Sequence, residues 1–531
     1  MGNKQNTTPP ITVDATGSST AAGRSGRTAE RSAAGQAAPP PLTPSAALAE
    51  LMPGLSAGSP ADAGAPAVVS AAFVKPGRIS FFNSAFAVFL VALICRFCFA
   101  WSGISDPEAA RFFRPDSASY LAPAFSLAET GEYRGPDGSV TAHRTPGFPA
   151  FLGVLTTFGV RPTCEAETIW ISIFLLVLGA LTVFPIYCSC RYVSSRTCSA
   201  LAALLFALNP TAIAHAPLLL SDTFFTLIVA FVLFFFVSFA FGVKKDSFYY
   251  FSAVFLAAIA ALIRPINLFF FVPLIVALLL VDQFPRKRKL ICSAVTCAIF
   301  FVVLFPWIAR NHAIGSGWRL DASSASTMVH NAAAVESVVM QRSGEELRRR
   351  YEESFQLEFD SAPFKYQTAG ARMDYIESEM TDKILEHPFL YAYLTLRPWV
   401  FLPDVPTLLE NQGVTQTERG TFDVLNREGI FAAVRYYFNG NGGALAATIP
   451  LLLTVLVLYL AAAAGWIATI RKKQWLMAFL LIGFGLYYTL LTGPVQMPRY
   501  QLPALPVLAF FAAIALQAVS GRFRKEKPVT N

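Results

Sequence analysis

The spacing of its apolar runs constrains this chain most. Stretches of membrane-spanning length occur at roughly 80–102, 167–189, 199–217, 223–242, 249–264, 266–282, 290–309, 446–469, 475–492 and 503–519. A helix needs about 20 apolar residues to cross the hydrocarbon of a bilayer, and unbroken runs of this kind read as such helices. With 54% hydrophobic and 14% charged residues among 531, a soluble fold could not cover the apolar surface. The expected fold class is an all-α polytopic membrane protein of about ten transmembrane helices.

Charge between the runs sets the orientation. Basic residues cluster at Lys75 and Arg78, Arg191 and Arg196, Lys244 and Lys245, Arg286 to Lys289, Arg471 to Lys473, and Arg522 to Lys527. Every second connection is basic, which puts those connections and both termini in the cytoplasm. One missed span would break the alternation. The net charge of +8 is thereby spent on topology signals, and nucleic acid is not an expected partner. The eight cysteines form no disulfide framework: most sit in or beside apolar runs, and Cys164 has no partner in its loop.

The resulting map has five parts. Residues 1–74, rich in Ala, Ser, Gly, Pro and Thr, are expected to be a disordered cytoplasmic tail. Residues 75–311 form the membrane core, with an outer loop at 103–166 that contains interfacial helices. A larger outer segment, 312–445, precedes the last three spans, which occupy 446–520, and 521–531 is a second cytoplasmic tail. Within the larger segment Glu345 to Glu353 reads as a solvated helix. Residues 389–401 read as an interfacial helix, because making them a span would put Arg471 to Lys473 outside.

A few charged residues stand out against this apolar background. Arg264 and Arg499 lie in short outer connections where positive charge should be scarce, and Arg310 ends the seventh span. Each could snorkel to the interface. Three at one level also form a site for an anion, and guanidinium binds phosphate through a bidentate fork. Asp116 opens a helix-like stretch in the first outer loop and reads either as its cap or, with Ser117 capping, as a free carboxylate. Asp222 has the same two readings at the start of the fourth span. All five histidines fall on the outer side without metal-ligand spacing, so no metal ligands are assigned.

The order of these residues resembles a known family. Asp116 and Tyr120 follow the first span, then Arg144-Thr-Pro-Gly-Phe-Pro149, Asn209-Pro210, Ser221-Asp222, Arg264-Pro265, Pro306-Trp307 with Arg310-Asn311, and Arg499-Tyr500. Over about 80–520 this resembles the C-type membrane glycosyltransferases: protein O-mannosyltransferases, 4-amino-4-deoxy-L-arabinose transferases and lipopolysaccharide galacturonosyltransferases. The resemblance implies a polyprenyl-phosphate sugar donor, used on the non-cytoplasmic side of the plasma (inner) membrane, with Asp116 as catalytic base. Many members carry two acids where this chain has Asp116 and Ser117.

Arg264, Arg310 and Arg499 are then candidates for the donor phosphate, with Tyr120, Arg144, Asp222 and Tyr500 as further substrate contacts. The acceptor would be an envelope glycan, lipid or protein, and the activity that of an inverting hexosyl- or pentosyltransferase. No cofactor is assigned, and a divalent metal is left open. A transporter or flippase for lipid-linked saccharides is the alternative, although the chain has no internal repeat of the kind transporters carry. The Trp-Trp-Asp motif associated with oligosaccharyltransferases is absent.

Overall fold

The computed structural model describes residues 78–159, 164–242, 246–281, 284–414, 424 and 428–525, so the expected tail at 1–74 and residues 526–531 lie outside the described residues. The described regular elements are helices, apart from one isolated antiparallel bridge between Arg134 and Val140. In order they are α1 (Arg78–Ser105), α2 (Ser117–Thr130), α3 (Gly147–Thr157), α4 (Ile169–Leu181), α5 (Val183–Cys190), α6 (Arg196–Ala207), α7 (Pro210–Ala214), α8 (Asp222–Phe241), α9 (Ser247–Ile263) and α10 (Phe271–Leu280). There follow α11 (Arg286–Ala313), α12 (Ser323–Met340), α13 (Gly344–Ser361), α14 (Ala369–Glu386), α15 (Pro388–Thr395), α16 (Val405–Asn411), α17 (Ile430–Tyr437), α18 (Gly442–Arg471), α19 (Trp475–Leu490) and α20 (Leu505–Lys525).

Each of the expected apolar runs is helical. Six of them are long and apolar enough to cross a membrane: Asn83–Ser105, Ala166–Cys190, Asp222–Phe241, Arg286–Ala313, Gly442–Arg471 and Pro498–Gly521. The others are shorter helices, and the sequence accounts for the interruptions. The third run breaks at Asn209-Pro210, where Pro210 occupies the first turn of α7 and the Asn209 carboxamide accepts from Thr211 N at 3.0 Å and Ala212 N at 3.2 Å. The second bends at Thr182, between α4 and α5.

Burial runs opposite to that of a soluble protein. Large apolar side chains such as Ile94, Leu290, Phe301 and Leu460 are exposed, whereas Ala253, Ala257, Ala260 and Ala261 of α9 are fully buried. Small residues let helix backbones approach when lipid, and not water, surrounds the bundle. The extreme case is Gly465 of α18, where an added Cβ would lie 1.8 Å from the Phe511 carbonyl oxygen of α20.

Arg96 is the one fully buried arginine of α1. It donates to Ala92 O at 3.2 Å and to Ala207 O at 3.0 Å, which ties α1 to the last turn of α6. Charge at that depth is costly unless bonded, and Ala207 O, at the end of α6, is a suitable acceptor.

Beyond α11 the chain builds a three-helix module from α12, α13 and α14. Val329, Ala332, Leu347, Tyr351, Phe355, Met380 and Ile384 form its core. The solvated helix expected at Glu345 to Glu353 is α13, with Tyr351 and Leu347 on its buried side. A backbone bond from Gly370 N to Gly315 O (2.8 Å) ties the module to the end of α11, and one from Ala322 N to Ala142 O (2.9 Å) joins it to the first loop. Next, α16 docks on α7: His215 Nε2 lies 2.7 Å from Asp404 Oδ2, and Asn411 Nδ2 donates to Ala214 O at 2.7 Å.

Replacing Gly465 with Ala should separate α18 from α20. Overpacking of this kind costs about 1–3 kcal/mol, read as a lowered unfolding temperature of the detergent-purified protein. An unchanged temperature would mean that the two backbones are not in contact.

Candidate active site

Asp116 occupies the N-cap position of α2, but its side chain makes no capping bond. Ser117 does not cap either: its Oγ accepts from Arg114 N at 2.8 Å and donates to Leu219 O at 3.0 Å, which fixes the start of α2 to the segment before α8. The Asp116 carboxylate, 44% exposed, instead receives Arg144 Nη2 at 2.7 Å. Arg144 also donates through Nε to Ser119 Oγ at 2.9 Å, and its guanidinium lies 4.7 Å from the centre of the Tyr120 ring.

The turn at 144–149 puts Arg144 there. Tyr133 OH donates to Arg144 O at 3.1 Å and Thr145 O at 3.2 Å, while Thr145 Oγ1 donates to Ile263 O at 2.9 Å. At Gly147 a Cβ would lie 2.7 Å from Leu262 O, so only glycine lets α3 begin this close to the end of α9. The first loop thus meets Arg264, the residue that follows α9.

Arg264 forms a buried ion pair with Asp222 at the first turn of α8. The adjacent Ser221 Oγ lies 3.4 Å from Tyr120 OH, so Tyr120 connects the Asp116–Arg144 pair to the Asp222–Arg264 pair. Arg264 also lies 5.9 Å from the ring centre of Tyr500, and Arg499 lies 5.6 Å from the same ring. Asp222 and Asp116 are both within electrostatic reach of Arg499. Yet among the described residues Arg499 has no carboxylate partner, and its buried Nε has no hydrogen-bond acceptor.

The structure therefore brings together Asp116, Tyr120, Arg144, Asp222, Arg264, Arg499 and Tyr500, from four separate segments. Two carboxylates face three guanidinium groups, which leaves one positive charge in excess and the buried Nε of Arg499 without an acceptor among the described residues. A buried donor of this kind is costly unless an acceptor arrives.

Arg310 has a different setting. It donates to Thr141 O at 2.6 Å, Tyr133 O at 3.2 Å and Asn311 Oδ1 at 3.0 Å, and it stacks 4.7 Å from the Trp307 ring centre. These bonds occupy the guanidinium in holding the 133–141 hairpin, whose Tyr133 in turn holds Arg144.

Sequence reasoning passed over Tyr133, Ser119, His215, Asp404 and Asp321. Tyr133 and Ser119 look like ordinary loop residues, and His215 and Asp404 meet only because α16 folds back on α7. Asp321 is 5% exposed, beside the first loop. Among the described residues no three His, Cys, Asp or Glu side chains converge to hold a metal ion.

In class, the chain is a multi-pass membrane protein with a charged, partly buried cluster at one end of its helix bundle. Residues 164–309, about a quarter of the chain, match the family model for dolichyl-phosphate-mannose-protein mannosyltransferase. The match includes Asp222 and Arg264 and ends one residue before Arg310, while Asp116, Arg144 and Arg499 lie outside it.

No curated protein matches the chain by sequence. Among solved structures it is similar to the archaeal oligosaccharyltransferase AglB from Archaeoglobus fulgidus in complex with an inhibitory peptide and a dolichol-phosphate. That likeness has 12% identity and a TM-score of 0.47, over 85% of this chain and 53% of that one. It is also similar to ArnT from Cupriavidus metallidurans bound to undecaprenyl phosphate, with 12% identity and a TM-score of 0.35, over 84% of this chain and 61% of that one. The chain spans about half the length of the archaeal enzyme.

The buried pair gives a direct test. Arg264→Ala leaves the Asp222 carboxylate buried without its partner and should cost about 3–5 kcal/mol. The double variant Asp222→Asn with Arg264→Gln should recover most of that loss in thermal unfolding. Additive losses would show that the two side chains do not interact.

Proposed function

We propose that this protein is an inverting glycosyltransferase that moves a sugar from a polyprenyl-phosphate donor to an envelope acceptor at the outer face of the plasma membrane. The observation that carries the reading is the chain of groups from Asp116 through Arg144, Tyr120 and the Asp222–Arg264 pair to Arg499, which has no carboxylate partner among the described residues. It supplies a half-exposed carboxylate at one end and an anion-seeking guanidinium at the other. The family match over 164–309 supports glycosyl transfer independently.

In this mechanism Asp116 takes the proton of the acceptor hydroxyl as its oxygen bonds to the anomeric carbon. The bond from that carbon to the phosphate oxygen breaks, and its electron pair stays on the polyprenyl phosphate. Arg499, with Arg264, meets the charge that develops there. A phosphate leaving group needs no protonating acid, unlike the alcohol expelled in glycoside hydrolysis. Attack opposite the leaving group inverts the anomeric centre. Arg144 orients Asp116, and Tyr120, Asp222 and Tyr500 shape the pocket.

An apolar groove of about 290 Å³ suits a hydrocarbon tail. Leu268, Phe271, Phe300, Phe301, Leu304 and Phe305 line it. Leu268, in its lining, follows Arg264 by four residues across the turn Pro265–Asn267. The alternation of basic clusters supports cytoplasmic termini and an outward-facing position for this end of the bundle. Within 312–445, the stretch at Ala322 bonds to the first loop, which supports a role for this part of the chain in selecting the acceptor.

The test is purified protein supplied with a panel of polyprenyl-phosphate sugars and scored for release of free polyprenyl phosphate. Asp116→Asn should lower turnover by roughly 10²–10⁴, with donor binding retained. Arg499→Ala should weaken donor binding. Full activity in Asp116→Asn removes Asp116 as the base, and translocation of intact donor without release would identify a transporter.

A further inference from the structure

Arg499 is the cation of this cluster whose place no ion pair explains. Among the described residues it has no carboxylate partner, and its buried Nε has no acceptor. A side chain with this much rotamer freedom stays in place only if the backbone that carries it is itself anchored. The anchors stand on either side of Arg499, in two glutamines that take no part in the cluster.

Arg499 lies in the 3-10 stretch Pro498–Ala504, with Gln496 three residues before it and Gln501 two residues after it. Gln496 Nε2 donates to Thr395 O and, at 3.5 Å, to Leu394 O, while its Oε1 accepts from Val400 N at 3.3 Å. Gln501 is fully buried. Its Nε2 donates to Leu402 O at 2.8 Å, and its Oε1 accepts from the Tyr459 hydroxyl of α18 at 2.5 Å. Both glutamines thus reach one distant stretch, residues 394–402. Leu394 and Thr395 end α15, where carbonyls lack partners within the helix, so these bonds fill acceptors that need them. A further bond, from Val495 N to Asn331 Oδ1 at 3.4 Å, ties the same turn to α12.

Successive side chains of a 3-10 stretch point about 120° apart. Gln501 can therefore face α18 and residues 394–402 while Arg499 and Tyr500 face the Asp222–Arg264 pair, and the Tyr500 ring centre lies 5.6 Å from Arg499 and 5.9 Å from Arg264. We propose that Gln496 and Gln501 are positioning residues for the donor phosphate: they fasten the turn to residues 394–402 and so hold Arg499 at the cluster through neutral groups alone. The proposal rests on the reading of Arg499 as a phosphate ligand. A carboxylate would fix the guanidinium as firmly, but it would cancel the charge that a phosphate needs. Two carboxamides fix the backbone and leave that charge whole.

The experiment titrates the full-length protein, in detergent, with polyprenyl phosphate and separately with the uncharged polyprenol. Gln501→Met, which keeps the length and removes both bonds, and Gln496→Met should each weaken polyprenyl phosphate binding about tenfold. Polyprenol binding should stay the same in both. Once Arg499→Ala is present, neither glutamine variant should weaken phosphate binding further, because the anchored group is gone. In parallel, arginine-directed labelling with phenylglyoxal, read by peptide mass spectrometry, should modify Arg499 faster in both variants than in the unaltered protein.

Equal losses for polyprenol and polyprenyl phosphate, or losses that add in full to that of Arg499→Ala, would mark a structural role alone and overturn the proposal. Unchanged binding and labelling in both variants would overturn it as well. Labelling does not depend on the donor. Faster labelling beside an Arg499→Ala protein that binds polyprenyl phosphate normally would therefore overturn the phosphate reading and leave the anchoring intact.

Discussion

The buried pair between Asp222 and Arg264 is the interaction on which the rest of the site depends. It joins the first turn of α8 to the residue that ends α9, two neighbouring helices of the bundle. The first loop is then set against this junction by Thr145 and Gly147 on one side and Tyr120 on the other. A buried ion pair is not in itself a strong source of stability. Its value here is geometric, because it fixes where a guanidinium can stand at the end of an otherwise apolar bundle.

Electrostatics inside the cluster is deliberately incomplete. Arg144 and Arg264 have carboxylate partners, whereas Arg499 has none among the described residues. The aromatic faces of Tyr120 and Tyr500 separate the cations while attracting each of them. Such a cluster is suited to an anion, and it holds the partly exposed Asp116 carboxylate close by. Arg310 and Tyr133 act one step back, by fixing the hairpin from which Arg144 extends.

Much of this was legible in the sequence, for a physical reason. In a chain this apolar, a charged residue beside a spanning run carries a large insertion cost, so Asp222, Arg264 and Arg499 stand out without any structure. The fold class was legible for the same reason, since runs of about 20 apolar residues leave little choice but helices. The shorter helices were less so: the Asn209-Pro210 break inside the third run reads as apolar continuity unless the cap is recognised. Arg96 gives a local signal, a charge within the first span, that the loop-centred reading overlooked. Asp321, Asp404 and the task of Arg310 give none. Each depends on a segment returning over a long sequence distance, and nothing in the local pattern encodes where such a segment lands.

The approach of Gly465 to Phe511 has a mechanical consequence. Two helices in backbone contact cannot slide along one another without one chain climbing over the other. The α18–α20 pair therefore behaves as a rigid rail, and the turn carrying Arg499 and Tyr500 is mounted at its end. Any rearrangement of the bundle must then come from another part of it, which leaves the Arg499 guanidinium at a fixed address.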